Sequence, residues 1–286
     1  LEIAAAGGHN VLMSGPPGSG KTMLAQSLSS ILPCLTIDEA LEVTNVYSVA
    51  GQLPKEQACI MQRPFRGVHH TASSVAIIGG GNPPRPGEIS MAHRGILFLD
   101  EFPEFSSKTL EVLRQPLEDG KVTVSRASGT CEFPAQMMLV AAMNPTPSGY
   151  EADDERCTST AYEIQRYQNK LSGPLLDRID LHLKVPHVPI EALQNLEEGE
   201  NSKTIQERVQ AARNIQIQRF KSTSFKTNSE MGSKQIREFC VLEKDTTDFL
   251  QTAVERMQLS GRAYFRIIKV ARTIADLENS DNITIQ

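Results

Sequence analysis

Short apolar runs alternate with helix-like segments from the start of the chain to about residue 186. Two of the runs, Ile96–Asp100 and Met137–Ala142, are almost continuously apolar, which is typical of strands buried on both faces of a parallel sheet. Asn10–Ser14 and Asp180–Val185 predict two further strands. The alternation favours an α/β fold in which helices cover both faces of a parallel sheet and form three αβα layers.

The segments between these strands carry local signals. Thr36 and Glu39 have the spacing of a capping box and predict the start of a helix. Gly79–Gly87 is too rich in glycine and proline for a regular helix and predicts a loop. Lys121–Phe133 holds two β-prone runs around a turn-forming stretch, so we expect it to form a hairpin.

Beyond Val185–Pro189 the spacing of apolar residues becomes helical. We therefore expect residues 1–187 to form the αβ domain and residues 188–286 a smaller, all-helical domain. The helices predicted for this second domain are Ser202–Phe220, Lys234–Cys240, Asp245–Gln258 and Gly261–Leu277.

Composition narrows the class of protein. With 22% charged and 40% hydrophobic residues, the chain is typical of soluble globular proteins, and no apolar run approaches the ~18–20 residues of a membrane span. Its five cysteines are scattered without C-x-x-C spacing, which favours a reducing cytoplasm.

The chain starts without an initiator Met, so we expect a fragment of a longer protein. A net charge of −5 argues against nucleic-acid binding by overall positive charge, but leaves open a ring with basic inner loops.

The residues from Gly15 to Thr22 read G-P-P-G-S-G-K-T and fill every fixed position of the phosphate-loop pattern G-x-x-x-x-G-K-[ST]. Glycines let the backbone wrap around an anion, and the start of the following helix adds free N–H groups. Lys21 is predicted to reach the β- and γ-phosphates, and Thr22 to ligate Mg²⁺. The predicted nucleotide-binding residues are Gly15, Pro16, Pro17, Gly18, Ser19, Gly20, Lys21, Thr22 and Met23.

Two predicted strands end in residues that suit hydrolysis. Asp100 and Glu101 follow the first, at the strand ends where the phosphate loop also lies. We expect Asp100 to hold Mg²⁺ and Glu101 to polarise the water that attacks the γ-phosphate. Asn144 follows the second strand and is expected to hydrogen-bond that water or a γ-phosphate oxygen. The alternative for Asn144 is a turn before the proline that follows it.

Two arginines are candidates for contact with the nucleotide. Arg178 lies between two acidic residues before the last predicted strand. It is either paired within its own subunit or an arginine finger that reaches the γ-phosphate bound by a neighbour, which requires an oligomer. Arg262, at the start of the last helix, is either a second arginine over the nucleotide or a solvated charge, and the same choice holds for Arg266.

Arg63–His70, together with Arg85 and Arg94, is the local concentration of basic residues in the first domain. Its phenylalanine and histidines suit stacking on bases and its arginines suit phosphates, while a fold-stabilising loop is at least an equal alternative. A metal site at His69 and His70 is not expected, because adjacent side chains usually point apart and the spacing offers no further ligand.

The order of these motifs resembles that of AAA+ ATPases. More closely, the chain resembles the Mg-chelatase-like bacterial family called YifB or ComM, from Leu1 to about Glu278. The segments that carry the likeness are Arg63-Pro64-Phe65-Arg66, His69-His70-Thr71-Ala72-Ser73, Ile78-Gly79-Gly80-Gly81, Pro84-Arg85-Pro86-Gly87-Glu88-Ile89-Ser90 and Ser260-Gly261-Arg262-Ala263-Tyr264.

The resemblance implies a P-loop ATPase that uses ATP and Mg²⁺, assembles into a hexameric ring and remodels DNA in a helicase- or branch-migration-like way. Gly79–Ile89 would be an insert within the second helix and Lys121–Pro134 the hairpin before the Asn144 strand, and both would face the pore. Arg178 would be the trans-acting finger and Arg262 the second sensor, with residues 188–286 as the lid. A motor that remodels protein and a nucleotide switch without turnover are the alternatives.

One departure from the family pattern concerns cysteines. The family often shows C-P-C-G followed by C-x-C, whereas this chain has Thr146-Pro147-Ser148-Gly149 and Cys157-Thr158-Ser159. Because three of the four thiols are replaced, a metal site of that kind is not expected from these residues.

Overall fold

The computed structural model describes residues 1–54, 57–126, 129–188, 199–223 and 225–285, with the side chain of Arg126 left out. Contacts between residues group the chain into two compact units. The αβ unit comprises Asn10–Ser29 and Cys34–Glu198, and the helical unit comprises Leu1–His9, Ser30–Pro33 and Gly199–Gln286. The predicted boundary between residues 187 and 188 lies beside residues outside the described part and stays a prediction.

The described strands are β1 (Val11–Ser14), β2 (Phe65–Val68), β3 (Gly79–Gly80), β4 (Arg85–Pro86), β5 (Ile96–Leu99), β6 (Lys121–Arg126), β7 (Gly129–Pro134), β8 (Met138–Met143) and β9 (Leu181–Lys184). Five of them pair in parallel in the order β2-β5-β8-β1-β9. Every residue of β5 and β8 is buried, as their apolar runs predict. The α/β fold of a P-loop protein is thereby confirmed.

The described helices are α1 (Glu2–Gly7), α2 (Lys21–Ile31), α3 (Ile37–Ala50), α4 (Ser74–Ile78), α5 (Glu88–Met91), α6 (Ser107–Val112), α7 (Arg114–Asp119), α8 (Ala161–Gln168), α9 (Gly173–Leu176), α10 (Ser202–Arg219), α11 (Ser233–Phe239), α12 (Lys244–Met257) and α13 (Gly261–Leu277). The capping box that begins α3 is confirmed, because Thr36 Oγ1 accepts from Glu39 N at 3.3 Å and Thr36 N donates to Glu39 Oε2 at 3.1 Å. No described helix combines the length and apolarity that crossing a membrane requires.

Two hairpins extend from the αβ unit. The loop predicted at Gly79–Gly87 contains a short one, in which β3 pairs antiparallel with β4. Its glycines allow this close pairing, since a Cβ at Gly79 would lie 2.4 Å from the Arg85 carbonyl oxygen. The predicted second hairpin is confirmed, with β6 and β7 paired antiparallel; residues 127 and 128 lie outside the described residues.

The first residues of the chain group with the helical unit, although the sequence places them in the αβ domain. The physical reason is that Ala4, Ala5 and Ala6 of α1 are fully buried, and α1 contacts α10 and α13. Gln216 Nε2 of α10 donates to Ala6 O at 3.0 Å, and Arg213 Nη2 donates to Ala5 O at 3.2 Å. These bonds satisfy carbonyls that the end of a short helix leaves free.

Candidate nucleotide site

The phosphate loop joins β1 to α2, as predicted. Gly18 and Gly20 have φ angles of 75° and 86°, a left-handed backbone that favours glycine. A Cβ at Gly15 would lie 2.1 Å from the carbonyl oxygen of Val185, so only glycine fits there. At Gly18, by contrast, an added Cβ would meet no atom within 4 Å, so the loop is open on that side. The backbone thus has the form of an anion cradle.

Lys21 lies over this loop and is only 9% exposed. Its Nζ donates to Gly15 O at 2.6 Å, to Pro16 O at 2.8 Å and to Asn144 Oδ1 at 3.3 Å. Desolvation by burial lowers the pKa of Lys21, and the charge of Asp100 opposes that effect. A partly desolvated ammonium group therefore stands at the loop, where it suits an anionic ligand.

Thr22 and Asp100 meet as the sequence predicts. Thr22 Oγ1 donates to Asp100 Oδ2 at 3.0 Å, and the other carboxylate oxygen of Asp100 accepts from Glu101 N at 2.9 Å. A threonine hydroxyl beside a carboxylate at the end of a buried strand offers the oxygen ligands that Mg²⁺ prefers. The residues present therefore fit Mg²⁺.

Glu101 has a left-handed φ of 51°, and its side chain is 51% exposed. Its Oε2 lies 2.7 Å from Nδ1 of His70, yet that nitrogen makes no aligned hydrogen bond in the described structure. The register of β2 with β5 explains why these two side chains are close. Val68 pairs with Leu99, so His70 and Glu101, each two residues further along, lie near each other. This neighbour was missed because β2 was not predicted, and the residues themselves carried no signal of the pairing.

Asn144 directly follows β8, and its amide oxygen accepts from Lys21 Nζ. Tyr167 of α8 is a second neighbour that the sequence did not indicate. Burial raises the pKa of Tyr167 to about 12, the nearby acids Glu104 and Glu101 add to the rise, and a hydrogen bond with the backbone of Asn144 opposes it. An uncharged tyrosine therefore supports the backbone of Asn144.

Arg178 pairs within its own chain. Its Nη1 donates to Pro174 O at 2.5 Å, and its Nη2 contacts Glu118 of α7. Asn10, also unpredicted, anchors this segment, because its Nδ2 donates to Arg178 O at 2.8 Å while its Oδ1 accepts from Leu139 N at 2.8 Å. The pairing matches the in-chain alternative for this single chain, and a role at a neighbour's nucleotide stays a prediction.

Two further predicted contacts are exposed. Met23, directly after Thr22, is 66% exposed. Arg262 is exposed in the first turn of α13, in the helical unit. Its role as a second sensor stays a prediction.

Three arginines of the basic segment form ion pairs within the fold, whereas Arg85 is exposed. Phe65–Val68 is an edge strand, and the Phe65 ring stacks on Phe98 with centroids 5.9 Å apart. Arg85 is exposed on β4. The ion pairs of the other arginines are Arg63 with Glu39 at 3.0 Å, Arg66 with Glu88 at 2.6 Å and Arg94 with Glu42 at 2.8 Å.

The positions that carry cysteines in the family pattern converge here without three of the thiols. Ser148 Oγ donates to Cys157 Sγ at 3.4 Å, and Ser148 N donates to Ser159 Oγ at 3.0 Å. Thr146 Oγ1 lies 3.0 Å from Ser148 Oγ. The hydrogen bond from Ser148 is the main cause that lowers the pKa of Cys157. Hydrogen bonds hold this corner together.

A glycine-rich phosphate loop, an Asp-Glu strand end and a strand-ending Asn on a five-stranded parallel sheet define a P-loop protein of the AAA+ class. Residues 1–193 match the family described as magnesium chelatase, subunit ChlI, and residues 199–286 match the family described as magnesium chelatase, subunit ChlI C-terminal. The chain belongs to this Mg-chelatase family, which confirms the resemblance.

Comparison with individual proteins supports the same family assignment. The chain is 48% identical to YifB of Salmonella typhimurium over 288 residues, covering 100% of this chain and 56% of the relative. It is 49% identical to the competence protein ComM of Haemophilus influenzae over 285 residues, covering 99% of this chain and 55% of the relative. A weaker match, 22% identity over 174 residues, covers 60% of this chain and 17% of the DNA replication licensing factor mcm4-A of Xenopus laevis. The chain therefore spans a little over half the length of YifB and ComM.

Proposed function

We propose that this chain is the Mg²⁺-dependent ATPase module of an oligomeric AAA+ ring that remodels DNA. The observation that carries the proposal is the convergence of Lys21, Thr22, Asp100, Glu101 and Asn144 at one edge of the sheet. Membership of the Mg-chelatase family supports an ATPase. The choice of ATP rather than another nucleoside triphosphate rests on this resemblance.

Each residue has a distinct part in the proposed reaction. The loop N–H groups and Lys21 bind the phosphates. To do so, the Lys21 ammonium group gives up its hydrogen bonds to carbonyl oxygens of the loop and donates to phosphate oxygens instead. Thr22 and Asp100 would hold Mg²⁺, which when bound neutralises charge on the phosphates. Glu101 takes the proton of the attacking water, and Asn144 orients that water or a γ-phosphate oxygen.

Assembly and DNA contact are the finer parts of the proposal. In a hexameric ring, Arg178 would leave Glu118 and reach the nucleotide of the adjacent subunit, and Arg262 would act from the lid. The two hairpins, β3–β4 with exposed Arg85 and β6–β7, are the elements proposed to contact DNA. The name of one relative, a DNA replication licensing factor, supports a role with DNA. The five free cysteines fit the cytoplasm.

ATP hydrolysis by the purified chain, with and without Mg²⁺, tests the proposal. Lys21→Ala removes the ammonium of the loop, and Lys108→Ala, an exposed lysine on α6, is the matched control. We expect turnover that requires Mg²⁺, falls at least about 100-fold in Lys21→Ala and persists in Lys108→Ala. Equal turnover in both variants would show that this site does not carry out the hydrolysis.

A further inference from the structure

His69 and His70 lie close together beside Glu101, contrary to the expectation that adjacent side chains point apart. Their ring centroids are 4.1 Å apart, with an angle of 36° between the planes. One nitrogen from each ring and one Glu101 oxygen all lie within 4.8 Å of one another. Among the residues that the structure describes, no other group of three or more His, Cys, Asp or Glu side chains meets this condition.

The nitrogen of His70 that faces Glu101 lacks a hydrogen bond. Nδ1 is buried from water, and although it lies 2.7 Å from Oε2 of Glu101, the two atoms are not aligned for hydrogen bonding. An imidazole nitrogen and a carboxylate oxygen are both common ligands of divalent metal ions, so this close pair suits a shared cation.

His69 has a nitrogen available on the same side. Its Nδ1 lies 3.0 Å from Thr71 Oγ1. Thr71 N also donates to this Nδ1, at 3.4 Å, so Thr71 orients the ring, and one ring nitrogen lies within 4.8 Å of the other two ligand atoms. Both His69 and Glu101 are exposed, so an ion can enter from solvent.

We infer that His69, His70 and Glu101 form a binding site for a divalent transition-metal ion, with Zn²⁺ as the best fit. Two imidazoles and one carboxylate, with a fourth position open to water, are a common zinc ligand set. Ligand atoms around a tetrahedral Zn²⁺ lie about 3.3 Å apart. The three ligand atoms here are 2.7 Å apart for His70 and Glu101 and no more than 4.8 Å apart for the other pairs. Mg²⁺ prefers oxygen ligands, so this site is chemically distinct from the pair Thr22 and Asp100.

Occupancy of the site has a consequence for turnover, and this part rests on the proposed function. The ion takes an oxygen of Glu101, the group proposed to accept the proton of water. Zn²⁺ therefore inhibits hydrolysis, while nucleotide still binds at the phosphate loop. Zinc binding does not depend on hydrolysis and can be measured without it.

Zinc alone, titrated into the full chain by calorimetry without nucleotide, tests the inference. We expect one ion per chain, retained when millimolar Mg²⁺ is added. The variants His69→Gln, His70→Gln and Glu101→Gln should each weaken zinc binding at least about 100-fold. Loss of a residue that only supports a ligand already costs up to about 100-fold in metal affinity, and these residues are the ligands themselves. His187→Gln, an exposed histidine outside the cluster, is the matched control and should bind as the unmodified chain does.

Three results would overturn the site. They are no zinc binding by the unmodified chain, unchanged binding in all three ligand variants, and binding that survives those variants but is lost in Cys157→Ser. Zinc binding with the expected variant pattern but without hydrolysis under any condition would keep the site and remove the ATPase proposal instead.

Discussion

Lys21 Nζ lies 3.3 Å from Asn144 Oδ1, so the lysine of the phosphate loop is bonded to the side chain that ends β8. Because the amide oxygen accepts this bond, the amide NH₂ is the part of Asn144 that can donate elsewhere. The contact thus orients a donor in the site before any ligand binds. Such preorganised donors are a main source of transition-state stabilisation.

Removing the Asn144 amide should slow turnover more than it weakens nucleotide binding. We expect Asn144→Ala to lower kcat about 100-fold, the scale seen when one positioned donor is lost. Asn144→Asp keeps an oxygen for Lys21 but has no donor and adds negative charge, so it should be at least as slow. Steady-state hydrolysis with a parallel nucleotide-binding titration checks this. Turnover of Asn144→Ala within about twofold of the unmodified chain would rule out the role.

Glu101→Gln should bind ATP and hydrolyse it at least ~100-fold more slowly, because an amide cannot accept the proton of the attacking water. Single-turnover hydrolysis with labelled ATP measures the chemical step directly. Glu104→Gln, a nearby exposed acid, is the matched control and should hydrolyse normally. A hydrolysis rate of Glu101→Gln close to that of Glu104→Gln would show that Glu101 is not the general base.

Arg178→Ala should abolish turnover while leaving nucleotide binding intact, since the proposed contact is made to the neighbour's phosphate. Mixing tests whether the action is in trans. When Arg178→Ala and Glu101→Gln subunits are each added to unmodified chain, we expect activity to fall faster than the fraction of unmodified subunits. A loss that is strictly proportional to the added fraction would argue for action within one subunit.

Acid should destabilise the fold through Glu42 and His93. The hydrogen bond from His93 is the main cause that lowers the pKa of Glu42 from 4.5 to about 2, and burial lowers the pKa of His93 from 6.5. Both groups bind protons more readily in the unfolded chain, so stability is lost as pH falls, for His93 below 6.5 and for Glu42 between 4.5 and about 2.

Glu42→Gln should therefore reduce the difference in urea midpoint between pH 7 and pH 3. Glu207→Gln, an exposed residue of α10, serves as the control and should leave that difference unchanged. An identical pH dependence in Glu42→Gln and the unmodified chain would show that this cluster does not set the acid sensitivity.

Elements with a strong local signal were predictable from the sequence. The phosphate loop needs glycine at fixed positions, and the buried strands β5 and β8 need continuous apolar runs, so both appear in the residue order. Helices α10 to α13 begin and end within one residue of prediction, because an amphipathic helix repeats its apolar spacing along its length.

Features that depend on pairing across the chain were not predictable. β2 contains arginine and glycine and is defined only by its pairing with β5, so its sequence suggested a basic loop. The contact of Glu101 with His70 follows from that pairing. The contacts of Arg178 with Glu118, and of the Tyr167 side chain with the backbone of Asn144, likewise join residues far apart in the sequence. Likewise, the grouping of α1 with α10 and α13 was not predicted, because residues distant in sequence can be neighbours in space.

The most direct measurement is the steady-state ATPase rate without DNA and with single-stranded DNA, duplex or a forked junction, each at two salt concentrations. Arg85→Ala serves as the variant of the exposed β4 arginine. We predict that DNA stimulates hydrolysis, that higher salt weakens the stimulation because phosphate contacts release counterions, and that Arg85→Ala reduces it. A measurable rate that no DNA changes would contradict a DNA motor and favour one that remodels protein.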